Sequence, residues 1–377
     1  MSRKRAFAYC LGVFLAVRVG VALVGWLAVD TFPSRGPVSV AGWREPAPSG
    51  SFTDAVTSLE RQDALWYLRI ADDGYAEGDG SAAFFPLFPG ATWLVAALLG
   101  GRELAGGLLV ANAAALGALF VLFQLSQREY GVERARRTVL YLAVFPSALF
   151  LYAPYSESLY LLAAVLSLWG ARRGRWWVAG IAGFAAALTR SVGWVLAPVL
   201  VVEALHQRRE GKGGPGAGLT AAAGPVAGTL AYLAWWQATA GDWSAPLSAQ
   251  SGWERDPAFP LVTLWRAITQ AWSLHSYWLL DLLIVAPVIA GAVWVAFRAR
   301  PSYAVFAWLS LLVPLCLVFE GRALMSVPRF AVVIFPAFWA SAAATEARRI
   351  PHDLWLGASA AGLAVMTMLF ANNWFVF

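Results

Sequence analysis

Charged residues are scarce in this chain, since Asp, Glu, Lys and Arg together make up only 13% of its 377 residues. Soluble domains carry about 25% charged residues, so the composition excludes an ordinary soluble protein. Hydrophobic residues reach 59%, and the mean hydropathy is +0.61. Many of them fall in apolar runs of about 15 to 24 residues, the length that crosses the hydrocarbon core of a bilayer. The sequence therefore predicts an all-α membrane protein with many spans.

Cysteine and histidine are also rare, with two Cys and three His residues. Both cysteines lie in apolar runs and the histidines are scattered, so neither a disulfide framework nor a zinc cluster is predicted. Two aspartates separated by one residue would suit the metal of a nucleotide sugar, but Asp72 and Asp73 are adjacent and Asp79 is isolated. We therefore expect no metal and no other cofactor. The net charge of +6 belongs mostly to short loops and indicates no nucleic-acid partner.

Basic residues are concentrated in alternate loops and predict the orientation of the chain. By the positive-inside rule these loops are cytoplasmic, with the N-terminus inside and the C-terminus outside. The first apolar run is too long for a cleavable signal and is interpreted as a retained span. Residues 1–377 are taken as a single transmembrane domain, with outer loops over 30–103 and 240–276. The eleven predicted spans cover residues 6–29, 104–126, 138–153, 157–171, 176–190, 192–206, 217–239, 277–297, 302–319, 330–345 and 354–373.

The first outer loop is predicted to contain interfacial helices. Residues 84–99 are apolar, but a span there would move the basic loop at 127–137 to the outside, so an interfacial or re-entrant helix is favoured. A second helix is predicted from Thr53 or Asp54 to Asp72, with either of the first two residues as its N-cap.

Asp63 stands out in this second helix because it interrupts an apolar face. A helix turns by about 100° per residue, so one set of apolar side chains lies on the same face as Asp63 and another set of residues lies on the opposite face. A carboxylate at a membrane interface is costly unless it has a partner or a function. An ion pair with Arg61 or with an arginine of another span is the alternative. The face with Asp63 holds Val56, Leu59, Trp66, Tyr67 and Ile70, and the opposite face holds Arg61, Leu65, Arg69 and Asp72.

Further polar residues fall at the predicted outer ends of other spans and could line one cavity with Asp63. Arginine offers a charged, bidentate fork for a phosphate, so Arg190, Arg322 and Arg329 are candidate phosphate ligands. Glu157, in the run Tyr155-Ser156-Glu157-Ser158, could act on a hydroxyl or orient a sugar. The structural alternatives are that Arg322 and Arg329 snorkel at the interface, that Glu157 caps its helix, and that Arg190 pairs with Glu157.

Together these motifs resemble the GT-C glycosyltransferases, and more narrowly the PIG-V family of mannosyltransferases. The order and spacing of the motifs extend over most of the chain, and its short loops and Arg/Ala/Gly-rich composition are typical of a bacterial relative. Gln62 stands where the family has Trp, and Val192 where it has Asn. The matching segments are Arg61-Gln62-Asp63-Ala64, Gly74-Tyr75 with Ala83-Phe84-Phe85-Pro86, Pro154-Tyr155-Ser156-Glu157-Ser158, Thr189-Arg190-Ser191 and, more weakly, Pro328-Arg329-Phe330.

The resemblance implies an inverting glycosyltransferase in the cell membrane. It would move a hexose, mannose by analogy with the family, from a polyprenyl-phosphate donor to an acceptor hydroxyl on the extracytoplasmic face. The acceptor is left open between a glycolipid, a glycan and a protein. Asp63 would be the catalytic base. The expected substrate-binding residues are Arg61, Trp66, Tyr67, Tyr155, Glu157, Arg190, Arg322 and Arg329.

Two other functions compete with this one. A transporter or flippase of lipid-linked sugars would explain the spans and the interfacial arginines, but the sequence shows no internal repeat of the kind that many transporters have. A non-catalytic membrane scaffold would not explain why polar residues gather at one face.

Overall fold

The computed structural model describes residues 1–212, 214–251, 255–273, 278–319, 321–346 and 349–374. Within these ranges the chain is predominantly helical, with two small antiparallel sheets. Strands β1 (Ser39–Val40) and β2 (Trp43–Arg44) form the first sheet, and β3 (Arg255–Pro257) pairs with β4 (Leu317–Phe319) in the second. The helices are α1 Arg3–Thr31, α2 Asp54–Thr57, α3 Asp63–Asp73, α4 Leu87–Leu98, α5 Glu103–Tyr130, α6 Val132–Ala143, α7 Leu149–Tyr152, α8 Glu157–Arg172, α9 Trp176–Thr189, α10 Leu196–Arg209, α11 Gly216–Ala240, α12 Ala245–Ser251, α13 Pro260–Ser273, α14 Leu279–Arg298, α15 Pro301–Leu315, α16 Val327–Ala331, α17 Ala337–Thr345 and α18 Arg349–Ala371.

Five of the described helices, namely α1, α5, α11, α14 and α18, are long and apolar enough to cross a bilayer. A sixth candidate joins the segment Pro146–Tyr152 to α8 through a 94° bend. The predicted multi-pass membrane protein is thus confirmed, whereas the count of eleven spans is not. Helices α4, α9 and α15 are apolar but shorter. Because α4 has 12 residues, it extends about 18 Å, less than the roughly 30 Å core of a bilayer.

Prolines explain two places where a predicted span is not a single helix. The span at 138–153 is divided, because α6 ends at Ala143 and Pro146 begins a short 3-10 turn. The span at 330–345 is divided in the same way, since α17 begins only after Pro336. Proline has no backbone N–H to donate within a helix, so helices commonly begin just after it.

The predicted continuous helix from Thr53 or Asp54 to Asp72 is wrong. The chain forms α2, then turns, and α3 begins only at Asp63. Asp63 therefore stands at a helix N-terminus, where the helix dipole favours a negative charge, and not in the middle of an apolar face. Val56 is 39% exposed, whereas Leu65 and Arg69, which were expected to point away, are only 0% and 8% exposed. Helix α3 is buried on nearly every side, so amphipathic periodicity does not describe it.

Helices α9 and α11 pack unusually closely through glycine. A Cβ atom on Gly224 would lie 2.2 Å from the carbonyl oxygen of Gly180, and one on Gly183 would lie 2.7 Å from the Pro225 ring. Small residues at such contacts allow helix backbones to approach each other in membrane proteins. This contact fixes α9, whose C-terminal end presents Arg190 to the candidate site.

Helix α8 separates two polar clusters at opposite ends of the bundle, since it begins at Glu157 and ends at Arg172. At the Arg172 end, Arg172 donates to Glu129, and Arg300 donates to Glu203 and Glu210. Residues from loops that were predicted to share the cytoplasmic face therefore do meet at one end of the molecule. Which end faces the cytoplasm stays a prediction.

Candidate active site

Four charged side chains from separate parts of the chain form a continuous buried row. Arg329 of α16 donates from Nη1 to Asp63 Oδ2 at the start of α3, and its Nε lies 2.9 Å from Glu157 Oε1. Arg190, which follows α9, donates from Nη1 to the same Glu157 oxygen and to Ser156 Oγ at 3.2 Å. We call Asp63, Arg329, Glu157 and Arg190 the ion-pair row.

The ion-pair row is neutral overall because it holds two carboxylates and two guanidinium groups. Glu157 is 0% exposed, and Arg190 and Arg329 are each 7% exposed. Buried charges persist only when they are paired, so each member depends on its neighbours. The alternative of an Arg190–Glu157 pair is therefore confirmed. Arg329 is buried and does not snorkel, and Asp63 pairs with Arg329, not with Arg61.

A cavity of about 520 Å³ opens onto the ion-pair row. Asp63, Arg190 and Arg329 line it directly, whereas Glu157 is absent from its wall. The Asp63 side chain retains 15% exposure, which makes it the most accessible member of the row. The volume is typical of sites that bind small molecules, and a carboxylate beside two guanidinium groups can accept a proton and hold an anion.

Aromatic side chains form one wall of the cavity. Trp66 stacks on Phe84 with a centroid distance of 5.5 Å, and Tyr67 meets Phe84 edge-on at 5.1 Å. The Tyr67 hydroxyl lies 2.7 Å from Ser156 Oγ. Burial raises the pKa of Tyr67 to about 12, so its hydroxyl stays neutral at physiological pH. Such a wall offers flat apolar surface and hydroxyl groups, which suits a sugar ring.

Arg61 and Tyr155 lie behind the cavity and do not line it. Arg61 donates from Nε to the Ala371 carbonyl at 3.2 Å, and its Nε lies 3.9 Å from Glu45 Oε2. Tyr155 donates from its hydroxyl to the Arg61 carbonyl at 3.1 Å. Burial raises the pKa of Glu60, and a hydrogen bond from Trp43 and the charge of Arg61 partly oppose that rise. These contacts support the turn that precedes Asp63.

Arg322 is also absent from the cavity wall. It donates from Nε and Nη2 to the two carboxylate oxygens of Asp281 in α14, at 2.7 Å and 2.6 Å. Both side chains are buried. The structure thus brings Asp63, Trp66, Tyr67, Arg190 and Arg329 to one cavity, with Glu157 directly behind, and holds Arg322 in a bidentate pair elsewhere.

A double-mutant cycle should show that Arg322 acts through Asp281. We expect Arg322→Ala and Asp281→Ala each to destabilise the protein, because either leaves a buried charge behind. The double variant should lose less free energy of unfolding than the two single variants lose together. We expect a coupling energy of about 1 to 3 kcal/mol, measured by unfolding in detergent. If Arg322→Ala instead raises the KM for the donor and leaves stability unchanged, Arg322 binds substrate as the sequence suggested.

Backbone strain marks cavity residues that side-chain chemistry did not reveal. Four non-glycine residues in the described ranges have positive φ angles, and three of them, Gln62, Ser326 and Asn373, line the cavity. The fourth, Ala41, follows Val40, which also lines it. Such conformations cost about 1 to 3 kcal/mol each and are typical of functional sites. Gln62 was noted only as a departure from a motif, and Ser326 only as one of the polar residues at the predicted outer ends of spans. No sequence pattern marked Asn373.

No group of three or more His, Cys, Asp or Glu side chains is placed to hold a metal ion within the part of the chain that the structure describes. The expected independence from metal stays a prediction.

Comparison with solved structures identifies the fold. The chain matches ArnT from Cupriavidus metallidurans, solved with undecaprenyl phosphate, with a TM-score of 0.51 and 15% sequence identity. The match covers 96% of this chain and 76% of that one. The chain therefore has the fold of this structure, which is the GT-C fold that the sequence predicted.

Comparison of sequences identifies the family that this chain resembles. Residues 49–209 match the family described as Mannosyltransferase (PIG-V). Over 165 residues the chain is 34% identical to GPI alpha-1,6-mannosyltransferase 2 of Rattus norvegicus and of Mus musculus. The alignment covers 40% of this chain, and the chain spans about a third (33%) of the length of these relatives. The predicted relationship to the PIG-V mannosyltransferases is confirmed over this region, which contains Asp63, Glu157 and Arg190.

Proposed function

We propose that this protein is an inverting GT-C mannosyltransferase that uses a polyprenyl-phosphate-linked sugar. One observation carries the proposal: Asp63, an accessible carboxylate, lies in a 520 Å³ cavity beside two buried arginines. The family match over residues 49–209 supports mannose as the sugar. The fold match supports a lipid-phosphate donor only by analogy, since ArnT was solved with undecaprenyl phosphate.

Asp63 acts as the general base in this proposal. The acceptor hydroxyl attacks the anomeric carbon from the side opposite the phosphate, and Asp63 takes its proton as the new carbon–oxygen bond forms. The bond from the anomeric carbon to the phosphate oxygen breaks in the same displacement, so the configuration inverts. Arg329 donates to the carboxylate and fixes its orientation in the cavity.

The two arginines stabilise the departing phosphate. The donor phosphodiester carries one negative charge, whereas the lipid monophosphate that leaves carries about 1.5 to 2. A fixed guanidinium therefore interacts more strongly with the transition state than with the bound donor, which is the condition for raising the rate of a chemical step. Glu157 positions both arginines from behind the wall, because it accepts from Arg190 and lies 2.9 Å from Arg329 Nε.

The proposal treats residues 1–377 as one catalytic unit, because the cavity joins Asp63 near one end of the chain to Arg329 and Asn373 near the other. It places the cavity on the extracytoplasmic face, which follows from the basic loops at the opposite end of α8. The acceptor is a hydroxyl of a glycolipid, a glycan or a protein. None of the relatives reported above is described as a transporter, so a flippase is not favoured.

A transfer assay tests this function directly. The purified protein is incubated with radiolabelled polyprenyl-phosphate mannose and with a total lipid and glycan extract of its host. We expect label to move to an acceptor with the native protein and not with Asp63→Asn. Parallel reactions with GDP-mannose and polyprenyl-phosphate glucose identify the donor. Transport of intact lipid-linked sugar across vesicles, with no transfer from any donor, would contradict the proposal.

A further inference from the structure

A second cavity, of about 430 Å³, lies at the end of the bundle opposite Asp63 and is surrounded by basic residues. It lies where α5, α8 and α10 end, and none of the described residues that line it carries a carboxylate. We call it the basic pocket. Its lining residues are Arg128, Arg172, Arg173, Gly174, Arg175, Gln207 and Lys212.

Only part of the positive charge at the basic pocket is neutralised by the protein. Arg172 donates to Glu129 at 2.8 Å and to Glu203 at 3.3 Å, and Lys212 lies 3.0 Å from Glu210. Among the described residues, Arg128, Arg173 and Arg175 have no acidic partner. Three cations therefore share one pocket, where they repel each other.

Arg173 is surrounded by the other cations of this arrangement. Burial lowers the pKa of its guanidinium, and the charges of Arg128, Arg3 and Arg175 lower it further. Its Nε is buried and has no acceptor within the described ranges. The guanidinium rests over the ring of Trp169 with a distance of 4.5 Å to the centroid, and Trp169 Nε1 is likewise buried without an acceptor. Two neighbouring donors thus lack an acceptor where positive charge is in excess.

We propose that the basic pocket binds a phosphate group. A phosphate supplies negative charge and several acceptor oxygens at once, which matches surplus cations and unsatisfied N–H groups. The surface beside the pocket favours a phosphate carried by an acidic membrane lipid. Helix α9 begins directly after Arg175, and its Trp177 and Ile181 are 70% and 64% exposed. A lipid could place its headgroup in the pocket and its acyl chains along this apolar face.

A thermal-shift titration tests the proposal with three probes: short-chain phosphatidylglycerol, short-chain phosphatidylcholine and inorganic pyrophosphate. The pocket variant is Arg173→Gln/Arg175→Gln, which removes two charges but keeps polar side chains of similar shape. The control is Arg298→Gln/Arg349→Gln, which removes the same charge from exposed sites outside the pocket. We expect phosphatidylglycerol to raise the Tm of the native protein and the control. The pocket variant should need about tenfold more lipid, since each basic residue contributes measurably to binding an acidic lipid.

The other outcomes are equally decisive. Pyrophosphate could raise the Tm of the native protein and the control but not that of the pocket variant. That result would support the phosphate site and assign it to a free anion. Equal responses of the pocket variant and the control to both anionic probes would overturn the proposal, because the attraction would then be general. The proposal would also be overturned if phosphatidylcholine raised the Tm as much as phosphatidylglycerol does, and by the same amount in the native protein, the pocket variant and the control. If the pocket variant does not fold, Arg128→Gln tests the same pocket from α5.

Discussion

Asp63→Asn and Asp63→Ala are expected to abolish sugar transfer. The asparagine variant keeps the size of the side chain but cannot take a proton, and general-base catalysis contributes about 10² to 10⁴ in rate. The loss should appear in kcat more than in the KM for the donor, because in the proposed mechanism the donor phosphate contacts the arginines and not Asp63. Stability should fall less than in Glu157→Gln, since the Asp63 side chain is 15% exposed and Arg329 keeps Glu157 as a partner.

Asp72→Asn is the matched control for this experiment. It makes the same substitution on the same helix, but Asp72 is exposed and lies outside the cavity wall. Its activity should equal that of the native protein. Substantial transfer by both Asp63 variants, in proteins that elute and unfold like the native one, would remove Asp63 from the mechanism and leave Glu157 as the remaining candidate base.

Glu157→Gln should destabilise the protein more than any other single change in the site. Glu157 is 0% exposed and accepts from Arg190, with Arg329 Nε at 2.9 Å. Removal of its charge leaves two buried arginines with Asp63 as the one acid of the row. Breaking a buried pair in this way costs about 3 to 5 kcal/mol, so we expect a fall of several degrees in Tm and a lower yield of folded protein.

Glu77→Gln serves as the comparison for Glu157, because Glu77 is exposed in the segment that follows α3. It should leave the Tm unchanged. The pair Asp63→Asn and Glu157→Gln then separates the two roles. The first should lose activity with the smaller fall in Tm, and the second should lose activity with the larger fall in Tm. A Glu157→Gln protein as stable as the native one would show that the arginines do not depend on this carboxylate.

Charged residues next to apolar spans were the part of the site that could be predicted. Asp63, Glu157, Arg190 and Arg329 each lie near a predicted membrane interface, where an ionised group is costly without a partner. That cost makes such residues visible in the sequence alone, and the structure brings all four into one row. The sequence could not show that Arg322 is held by Asp281 in α14, because either arginine, at position 322 or 329, could have reached the cavity.

Local periodicity failed where distant contacts determine the backbone. The break before Asp63 depends on Gln62, whose φ of 57° no helical pattern anticipates. Gln62 donates from Nε2 to the carbonyl of Trp374 at 2.9 Å, across 312 positions of sequence. Arg61 likewise reaches the carbonyl of Ala371. A window of ten to twenty residues contains neither partner, so it predicts one continuous helix where the protein has a turn.

These distant contacts also set the order in which the protein can be assembled. Ribosomes make Asp63 early, but its partner Arg329 follows 266 residues later, and the carbonyl that receives Gln62 later still. Until α18 has been inserted, the turn that presents Asp63 lacks its hydrogen bonds to residues 371 and 374. A nascent chain released before that point would carry the motif residues of 49–209 without a finished cavity, so the cavity is completed only when α18 arrives.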